Sequence, residues 1–365
     1  MKINEVTRLL EGIAPTSLQE SYDNAGLITG DGSWECSGIM TTLDATEEVI
    51  LDAIANKCNL VVAHHPIVFK GLKKINGKNY VEKAIITAIK NDIAIYAIHT
   101  NLDNVIDGVN ARIADKLGLK NRTILLPKEN LLQKLAVFVP ISHTPALLDA
   151  LFAAGAGNIG NYSECSFASA GTGSFKGNEK TDPYVGKPGE RHYEPEEKIE
   201  VIFPVWLQSK LLQAMRNAHP YQEIAYDIYA LSNPYQQTGS GLLGELENPI
   251  EEKTFLSLLK SNFNLSLVRH TPFTGKKLKK IALCGGAGSF LTIAAIASGA
   301  DAYVTADLKY HEFFDADGRL LLADIGHYES EQFTTELLFD ILRQNFPNFA
   351  VLKTGVKTNP VNYFY

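Results

Sequence analysis

The sequence has 365 residues, of which 45% are hydrophobic and 21% are charged, a composition typical of a globular protein long enough for two domains. A formal net charge of −7 argues against general nucleic-acid binding, which usually needs a basic face, but leaves room for a local basic pocket that holds a phosphate-bearing ligand. There is no run of about 20 apolar residues for a membrane span, no signal-peptide pattern and no CxxC pair or disulfide framework, so we expect a cytoplasmic protein.

The outer thirds of the sequence alternate short apolar runs with amphipathic stretches. After an amphipathic helix within residues 1–17, strands are predicted at 37–45, 60–63 and 93–98, and helices at 46–58, 81–92 and 108–118. In the last third, strands are predicted at 280–284, 302–306 and 320–325, and helices at 285–299 and 327–346. Continuous apolar strands that alternate with helices indicate an α/β fold with a parallel sheet covered on both faces.

The middle of the chain has a different order of elements. Strand, helix, strand, a polar loop over 171–197, strand, helix and strand follow one another between residues 134 and 231. This order is typical of a small ferredoxin-like unit, whose first and last strands are neighbours. Because such a unit has its ends close together, it can be inserted into a loop of another domain. We therefore predict a discontinuous α/β domain over 1–130 and 235–365, interrupted by a separate domain over 131–234.

Polar side chains with metal-binding chemistry follow the predicted strands of the outer domain. They are Asp44, His64, His65, His99, Asp103, Asp307 and His327. Ligands of open parallel sheets bind outside the carboxyl ends of the strands, so these side chains should converge on one crevice. Imidazole and carboxylate groups together favour zinc, iron or manganese over calcium.

Two features favour two metal ions over one. His64 and His65 are adjacent at a strand end, where the chain turns and both rings can enter the crevice from different angles. His327 and Glu331 are spaced i, i+4, which places both on one face of a helix. A glutamate can bridge two ions about 3.5–4 Å apart, as in two-metal hydrolytic sites. With Asp103, these residues provide five candidate ligands.

Each of these signals also has an ordinary structural interpretation. A single histidine after a strand is more often a capping or surface residue, and a His/Glu pair at i, i+4 is more often part of a solvated helix face. His99 is either a ligand, a proton shuttle or a partner that orients Asp103 or a bound water. Asp44 and Asp307 are expected to support ligands or to cap helices. The CGGAGS segment at 284–289 is either a helix N-terminus that receives an anion or a tight turn between strand and helix.

Several segments occur together in the order typical of a known family. TLDATEEVI, LVVAHHPIVF, IAIYAIHTNLD, CGGAGS, ADLKYHE and DIGHYESE resemble the motifs of the Nif-three-like proteins, also called GTP cyclohydrolase 1 type 2 homologues. ESYDNAGLITG resembles the opening motif of the family, with Tyr22 where tryptophan is usual. The resemblance covers the whole outer domain and implies a dinuclear metal site, with two divalent ions per chain. The ligands that it implies are His64, His65, Asp103, His327 and Glu331.

The middle module carries a resemblance of its own. DPYVGKPGERHYEPEEKIE and NAHPYQEIAYDI resemble the insert of the long, YqfO-type members, which is related in fold to the trimeric PII and CutA proteins. The family resemblance further implies a ring-shaped homohexamer whose metal sites face an internal cavity. Two functions are then open: a metal-dependent hydrolase of a nucleotide or another phosphate-bearing small molecule, or a non-catalytic metal-binding ring protein whose insert senses a ligand or docks a partner.

Overall fold

The computed structural model describes residues 1–364, which form two compact units. One unit combines the residues up to Pro127 with those from Gln237 onward, and the other, Lys128–Gln236, interrupts it in the sequence. The α/β class predicted from the sequence is confirmed, because helices alternate with parallel strands in the first unit. No helix within residues 1–364 combines the length and the apolar character that a bilayer crossing requires.

Both units contain helices and strands. The strands are β1 (Gly26–Thr29), β2 (Ile39–Asp44), β3 (Leu60–His65), β4 (Ala94–Ala97), β5 (Lys120–Lys128), β6 (Leu132–Pro140), β7 (Ser166–Phe175), β8 (His192–Pro204), β9 (Tyr226–Leu231), β10 (Tyr235–Glu251), β11 (Arg269–His270), β12 (Lys277–Ala287), β13 (Ala302–Ala306), β14 (Leu321–Asp324) and β15 (Val351–Lys353). The α-helices are α1 (Ile3–Ile13), α2 (Glu47–Ala55), α3 (Tyr80–Lys90), α4 (Thr100–Asp103), α5 (Val109–Leu117), α6 (Thr144–Ala153), α7 (Gln208–Ala218), α8 (Glu252–Asn262), α9 (Thr292–Ala297), α10 (His327–Glu331) and α11 (Thr334–Asn345).

The first unit contains two mixed sheets whose central strands are parallel. In one sheet the order is β1-β4-β3-β2-β15, with β15, β2, β3 and β4 parallel and β1 antiparallel at the edge. In the other the order is β11-β14-β13-β12-β10-β5, with β12, β13 and β14 parallel. Asp44 is paired with His65, and Thr305 with Asp324, so the carboxyl ends of neighbouring strands are in register.

The central strands β2, β3 and β4 of the first sheet are buried on both faces, which explains their continuous apolar sequences. One face packs against α2 and α3, where Val49, Ile50 and Ala84 join Val61 and Ile95 in a buried cluster. The other face shares a second core with α5, α11 and the second sheet. Each fully buried Val, Ile or Leu side chain contributes about 1.5–3 kcal/mol. The polar residues at the strand ends are therefore carried by a firmly packed framework.

Two predicted elements of this unit differ from the structure. The strand predicted at 280–284 extends as β12 to Ala287, so its glycines lie within the strand and the following helix is shortened to α9. The helix predicted at 327–346 is broken at Gln332 into α10 and α11. The break has a local cause, because Gln332 Nε2 donates to the carbonyl oxygen of Glu329 at 2.9 Å, where a continuous helix would place a backbone donor.

The second unit has a four-stranded antiparallel sheet and two helices, α6 and α7. The strand order β7-β8-β6-β9 with the connectivity β-α-β-β-α-β is a ferredoxin-like arrangement. Its first and last strands pair directly, with Leu132 opposite Leu231. Leu151 of α6 and Met215 of α7 are buried against the sheet in a core of the unit's own.

The hairpin between β7 and β8 corrects one prediction in this unit. The sequence predicts a polar loop over 171–197, whereas β7 continues to Phe175 and β8 begins at His192. Cross-strand pairing extends as far as Phe175 opposite His192. Exposed side chains along β7 explain why this strand does not show the apolar pattern of a buried one.

Candidate metal centre

A cavity of about 970 Å³ opens in the first unit at the carboxyl ends of its parallel strands. Its lining comes from both sheets, from α10 and from the C-terminal segment that reaches Tyr363. The residues singled out in the sequence that line it are Asp44, His65, His99, Asp103, Asp307, His327 and Glu331. His64 is fully buried next to them, with its ring centroid 4.9 Å from that of His65.

Glu331 lies between two groups of side chains. Its Oε2 atom is 3.0 Å from Nε2 of His65 and 3.1 Å from Nε2 of His327. Its Oε1 atom is 4.0 Å from Nε2 of His64, and Oδ1 of Asp103 is 3.6 Å from the same nitrogen. The two oxygens of one buried carboxylate therefore belong to two separate sets of potential metal ligands.

The histidines of both groups are anchored through their Nδ1 atoms. Nδ1 of His64 donates to the Ile98 carbonyl oxygen at 2.8 Å, Nδ1 of His65 to Asp44 at 2.8 Å, and Nδ1 of His327 to Asp307 at 2.6 Å. This leaves the Nε2 atom of each ring directed at the cluster. Metal-binding histidines are usually oriented in this way, by a carboxylate or carbonyl on the opposite ring nitrogen.

Two buried atoms of the cluster lack the hydrogen-bond partner that burial normally demands. Nε2 of His64 and Oδ1 of Asp103 have none among the described residues. Two atoms bound to one ion at about 2.0–2.1 Å are about 2.8–3.4 Å apart in octahedral or tetrahedral geometry. The separations of 3.0 and 3.1 Å around Glu331 Oε2 lie in this range, whereas those from His64 Nε2, 3.6 Å to Asp103 and 4.0 Å to Glu331 Oε1, are longer. The donor types and their clustering therefore fit metal binding.

Burial disfavours the charged forms of the two unpartnered groups. It lowers the pKa of His64 to about 3, so the imidazole is neutral near pH 7 and Nε2 carries a lone pair. Burial, together with the charge of Glu331, raises the pKa of Asp103 well above its ordinary value.

Charge is balanced differently in the second group. Burial alone would lower the pKa of His65, but hydrogen bonds with Asp44 and Glu331 raise it to about 9. Hydrogen bonds with Asp307 and Glu331 likewise outweigh burial and raise the pKa of His327 to about 11. Burial would raise the pKa of Glu331, yet its two histidine partners hold it well below the usual value. Glu331 is thus paired with two imidazolium groups.

His99 lies beside these groups and is held by a residue that the sequence interpretation missed. A ring nitrogen of His99 lies within 4.8 Å of ring nitrogens of His64 and His65. Nδ1 of His99 is 2.7 Å from Oδ1 of Asp23, and Oδ2 of Asp23 accepts from the backbone N–H of Thr100 at 3.0 Å. The geometry is compatible with both a third ligand and a proton carrier. Asp23 belongs to the ESYDNAG segment, but only the approach of distant segments shows its role.

The glycines of the CGGAGS segment bring β12 close to Glu331. Gly286 has φ +62°, and a Cβ atom at this position would overlap Oε1 of Glu331. The backbone N–H groups of Gly285 and Gly286 donate to Asn110 Oδ1 at 2.9 Å and to Ser330 Oγ at 3.0 Å. These two donors are therefore engaged within the protein and are not available to an anion, and both glycines lie within β12 and not in a tight turn between strand and helix.

The remaining cavity lining combines aromatic rings with a single basic side chain. Tyr22, Phe69 and Phe290 contribute exposed rings. Among the lining residues within 1–364, Arg269 is the only Lys or Arg, and its Nη1 atom is 3.0 Å from Asp324. The local basic pocket that the composition allowed is therefore absent from the described lining.

Known proteins with related sequences and structures span both units. The chain matches the family model Duf34/NIF3 (NGG1p interacting factor 3) over residues 1–360. It is similar to a GTP cyclohydrolase 1 type 2 homolog of Halalkalibacterium halodurans, with 39% identity over 98% of each chain. It is also similar to the Bacillus subtilis protein of the same name, with 37% identity over 89% of this chain and 87% of that protein. A solved structure of a Bacillus cereus protein related to NIF3 superimposes with a TM-score of 0.87 at 35% identity, covering 100% of this chain and 99% of that one.

Proposed function

The chain belongs to the Duf34/NIF3 family, and from this premise we propose that it is a dinuclear metal-dependent hydrolase of a nucleotide or another phosphate-bearing small molecule. The observation that carries the proposal is the position of Glu331, whose two carboxylate oxygens face different groups of candidate ligands, Oε2 at 3.0 and 3.1 Å and Oε1 at 4.0 Å. A carboxylate in this position is suited to bridge two cations. In this proposal His64 and Asp103 would hold one ion, while His65 and His327 would hold the other.

The ligand set suits zinc, iron or manganese, because imidazole and carboxylate donors favour these ions. When bound, two such ions supply Lewis acidity and a hydroxide nucleophile near neutral pH. Asp44 and Asp307 keep the His65 and His327 rings in fixed planes. His99, fixed by Asp23, is placed to accept or donate a proton at the edge of the cluster.

The names of the relatives and the lining of the cavity support the proposed substrate class. The relatives are named GTP cyclohydrolase 1 type 2 homolog, which points to a nucleotide-like compound. The cavity offers aromatic rings for the flat part of such a compound, whereas its one guanidinium is already paired with Asp324. Phosphate oxygens would therefore depend on the two cations for charge compensation. A homohexamer, as the family resemblance implies, and a cytoplasmic location, as the sequence patterns predict, are part of the same proposal.

The decisive experiment measures metal content in two matched variants. Protein purified without oxygen and incubated with zinc, iron or manganese should carry close to two ions per chain. Glu331→Gln keeps the size of the side chain but removes the charge that lies between the two groups, so we expect loss of one ion or much weaker binding of both. Elemental analysis and chelator competition measure this loss, and circular dichroism shows whether the fold is retained.

Glu329→Gln is the matched control, because Glu329 lies on the same helix and accepts from Asn359 at 3.1 Å without contacting the histidines. It should retain both ions. The metal-loaded wild type is then screened for turnover of nucleotides and phosphoesters, with Glu331→Gln as the inactive reference. A wild type that stays free of metal, or a Glu329→Gln variant that loses more metal than Glu331→Gln, would contradict the proposed site.

A further inference from the structure

The C-terminal segment after β15 forms hydrogen bonds with three carboxylates from earlier parts of the first unit. Oγ1 of Thr354 donates to Oδ2 of Asp52 at 2.6 Å. Oγ1 of Thr358 makes the same contact, also at 2.6 Å, with Oδ2 of Asp44. Further on, Nδ2 of Asn359 donates to Glu329 at 3.1 Å. The segment thus runs from α2 to the cavity and forms part of the cavity wall.

The Thr358 contact differs from the other two because its partner Asp44 also forms a hydrogen bond with a histidine of the cluster. Oδ1 of Asp44 accepts from Nδ1 of His65 at 2.8 Å, while Oδ2 accepts from Thr358. Both oxygens of Asp44 are therefore fixed, one by the C-terminal segment and one by a member of the histidine cluster. Nε2 of the same His65 ring is 3.0 Å from Glu331.

We propose that Thr358 is a positioning residue of the metal centre, acting through Asp44 on the plane of the His65 ring. The torsion that turns a carboxylate about its own axis is broad, so one hydrogen bond does not define it. The second hydrogen bond, from Thr358, sets the direction in which Oδ1 of Asp44 meets His65. This role rests on the proposed function, since it concerns the same cluster, and no part of it follows from the sequence motifs at β3 or α10.

The test compares Thr358→Val, which removes the donor at constant shape, with two matched variants. Thr358→Ser keeps the hydroxyl and should restore wild-type behaviour. Thr354→Val removes an equivalent 2.6 Å hydrogen bond from the same segment, but its partner Asp52 lies outside the cavity lining. Mutation of the outer hydrogen-bond partner of a metal-binding histidine typically lowers metal affinity by about 10- to 100-fold. We expect Thr358→Val to weaken zinc binding by about tenfold, at the lower end of that range.

A second measurement does not depend on metal. In the metal-free protein, nuclear magnetic resonance detects the proton on Nδ1 of His65, assigned by its loss in His65→Gln. This proton should exchange with water several-fold faster in Thr358→Val than in Thr354→Val or Thr358→Ser. Equal affinities and equal exchange rates in the two valine variants would overturn the role of Thr358. A wild type that binds no metal would overturn the proposed function instead, and the exchange comparison would still decide the role of Thr358.

Discussion

Asp23 shows how a single residue of this protein combines structural and chemical roles. Its carboxylate is buried and accepts hydrogen bonds from His99 and Thr100. Burial would raise the pKa of Asp23, but these hydrogen bonds and the charge of His99 outweigh it and lower the pKa to about 2. A carboxyl group whose pKa is lower in the folded than in the unfolded state stabilises the fold. This stabilisation is fully present above the pKa of the unfolded state and is lost as the pH falls through the pKa of the folded state.

Asp23→Asn is therefore expected to destabilise the protein in a pH-dependent way. The shift from 3.8 to about 2 corresponds to about 2 kcal/mol of unfolding free energy at pH 6, falling to about half of that at pH 3. Urea unfolding of the wild type and the variant between pH 6 and pH 3 measures the difference. Asp149→Asn, an exposed substitution, should change the unfolding free energy little at either pH. A difference between Asp23→Asn and wild type that stays constant over this range would exclude the proposed charge contribution.

The structure brings together several residues that chemistry and local position singled out in the sequence. His64, His65 and Glu331 were recognised because imidazoles and a carboxylate occur at strand ends or one helical turn apart, and the structure brings them together. Asp23 and Thr358 have no such local signal. Each meets its partner across a large separation in sequence, through packing that no local periodicity encodes.

Among the elements, β12 and α10 depend on each other. The strand approaches the helix so closely that Gly286 has no space for a Cβ atom beside Glu331. The backbone of Gly286 is also fixed by its hydrogen bond to Ser330 Oγ at 3.0 Å. The sequence predicted that a helix begins at these glycines, but they lie in β12. The prediction was wrong because the glycines that permit a turn also permit a strand to lie close to a side chain.

Gly286→Ala tests this dependence, with Gly118→Ala as its control. Both glycines have positive φ, +62° and +66°, so both alanine variants carry the same backbone strain of about 1–2 kcal/mol. Only Gly286 faces Glu331, since a Cβ at Gly118 meets nothing within 4 Å. We expect Gly118→Ala to retain full metal content and Gly286→Ala to lose at least one ion, as measured by elemental analysis. Equal metal content in the two variants would show that the close approach is unimportant for the site.

At the scale of the whole molecule, the sequence indicated the α/β class but not the number of sheets. Alternating strands and helices predict parallel pairing, and β2, β3 and β4 pair in this way. The division into two sheets depends on long-range partners, such as β15 beside β2 and β10 beside β12. These pairings are set by shared apolar cores, which a reading of local patterns does not resolve.

The second unit is predicted to be a separable domain. Its ends are adjacent, because β6 and β9 pair with Leu132 opposite Leu231, and it has its own buried core. A variant that lacks residues 131–234, with residue 130 joined to 235 by a short Gly/Ser linker, should fold and keep its metal-binding capacity, since every candidate ligand lies in the first unit. Elemental analysis and thermal unfolding of this variant test the prediction. Two further variants control for the fusion point, one with the N-terminal side of the junction moved to Pro127 and one with the C-terminal side moved to Gln237. If all three variants are insoluble or free of metal, the inserted unit is required for the first unit to fold, and the prediction of two independent domains is wrong.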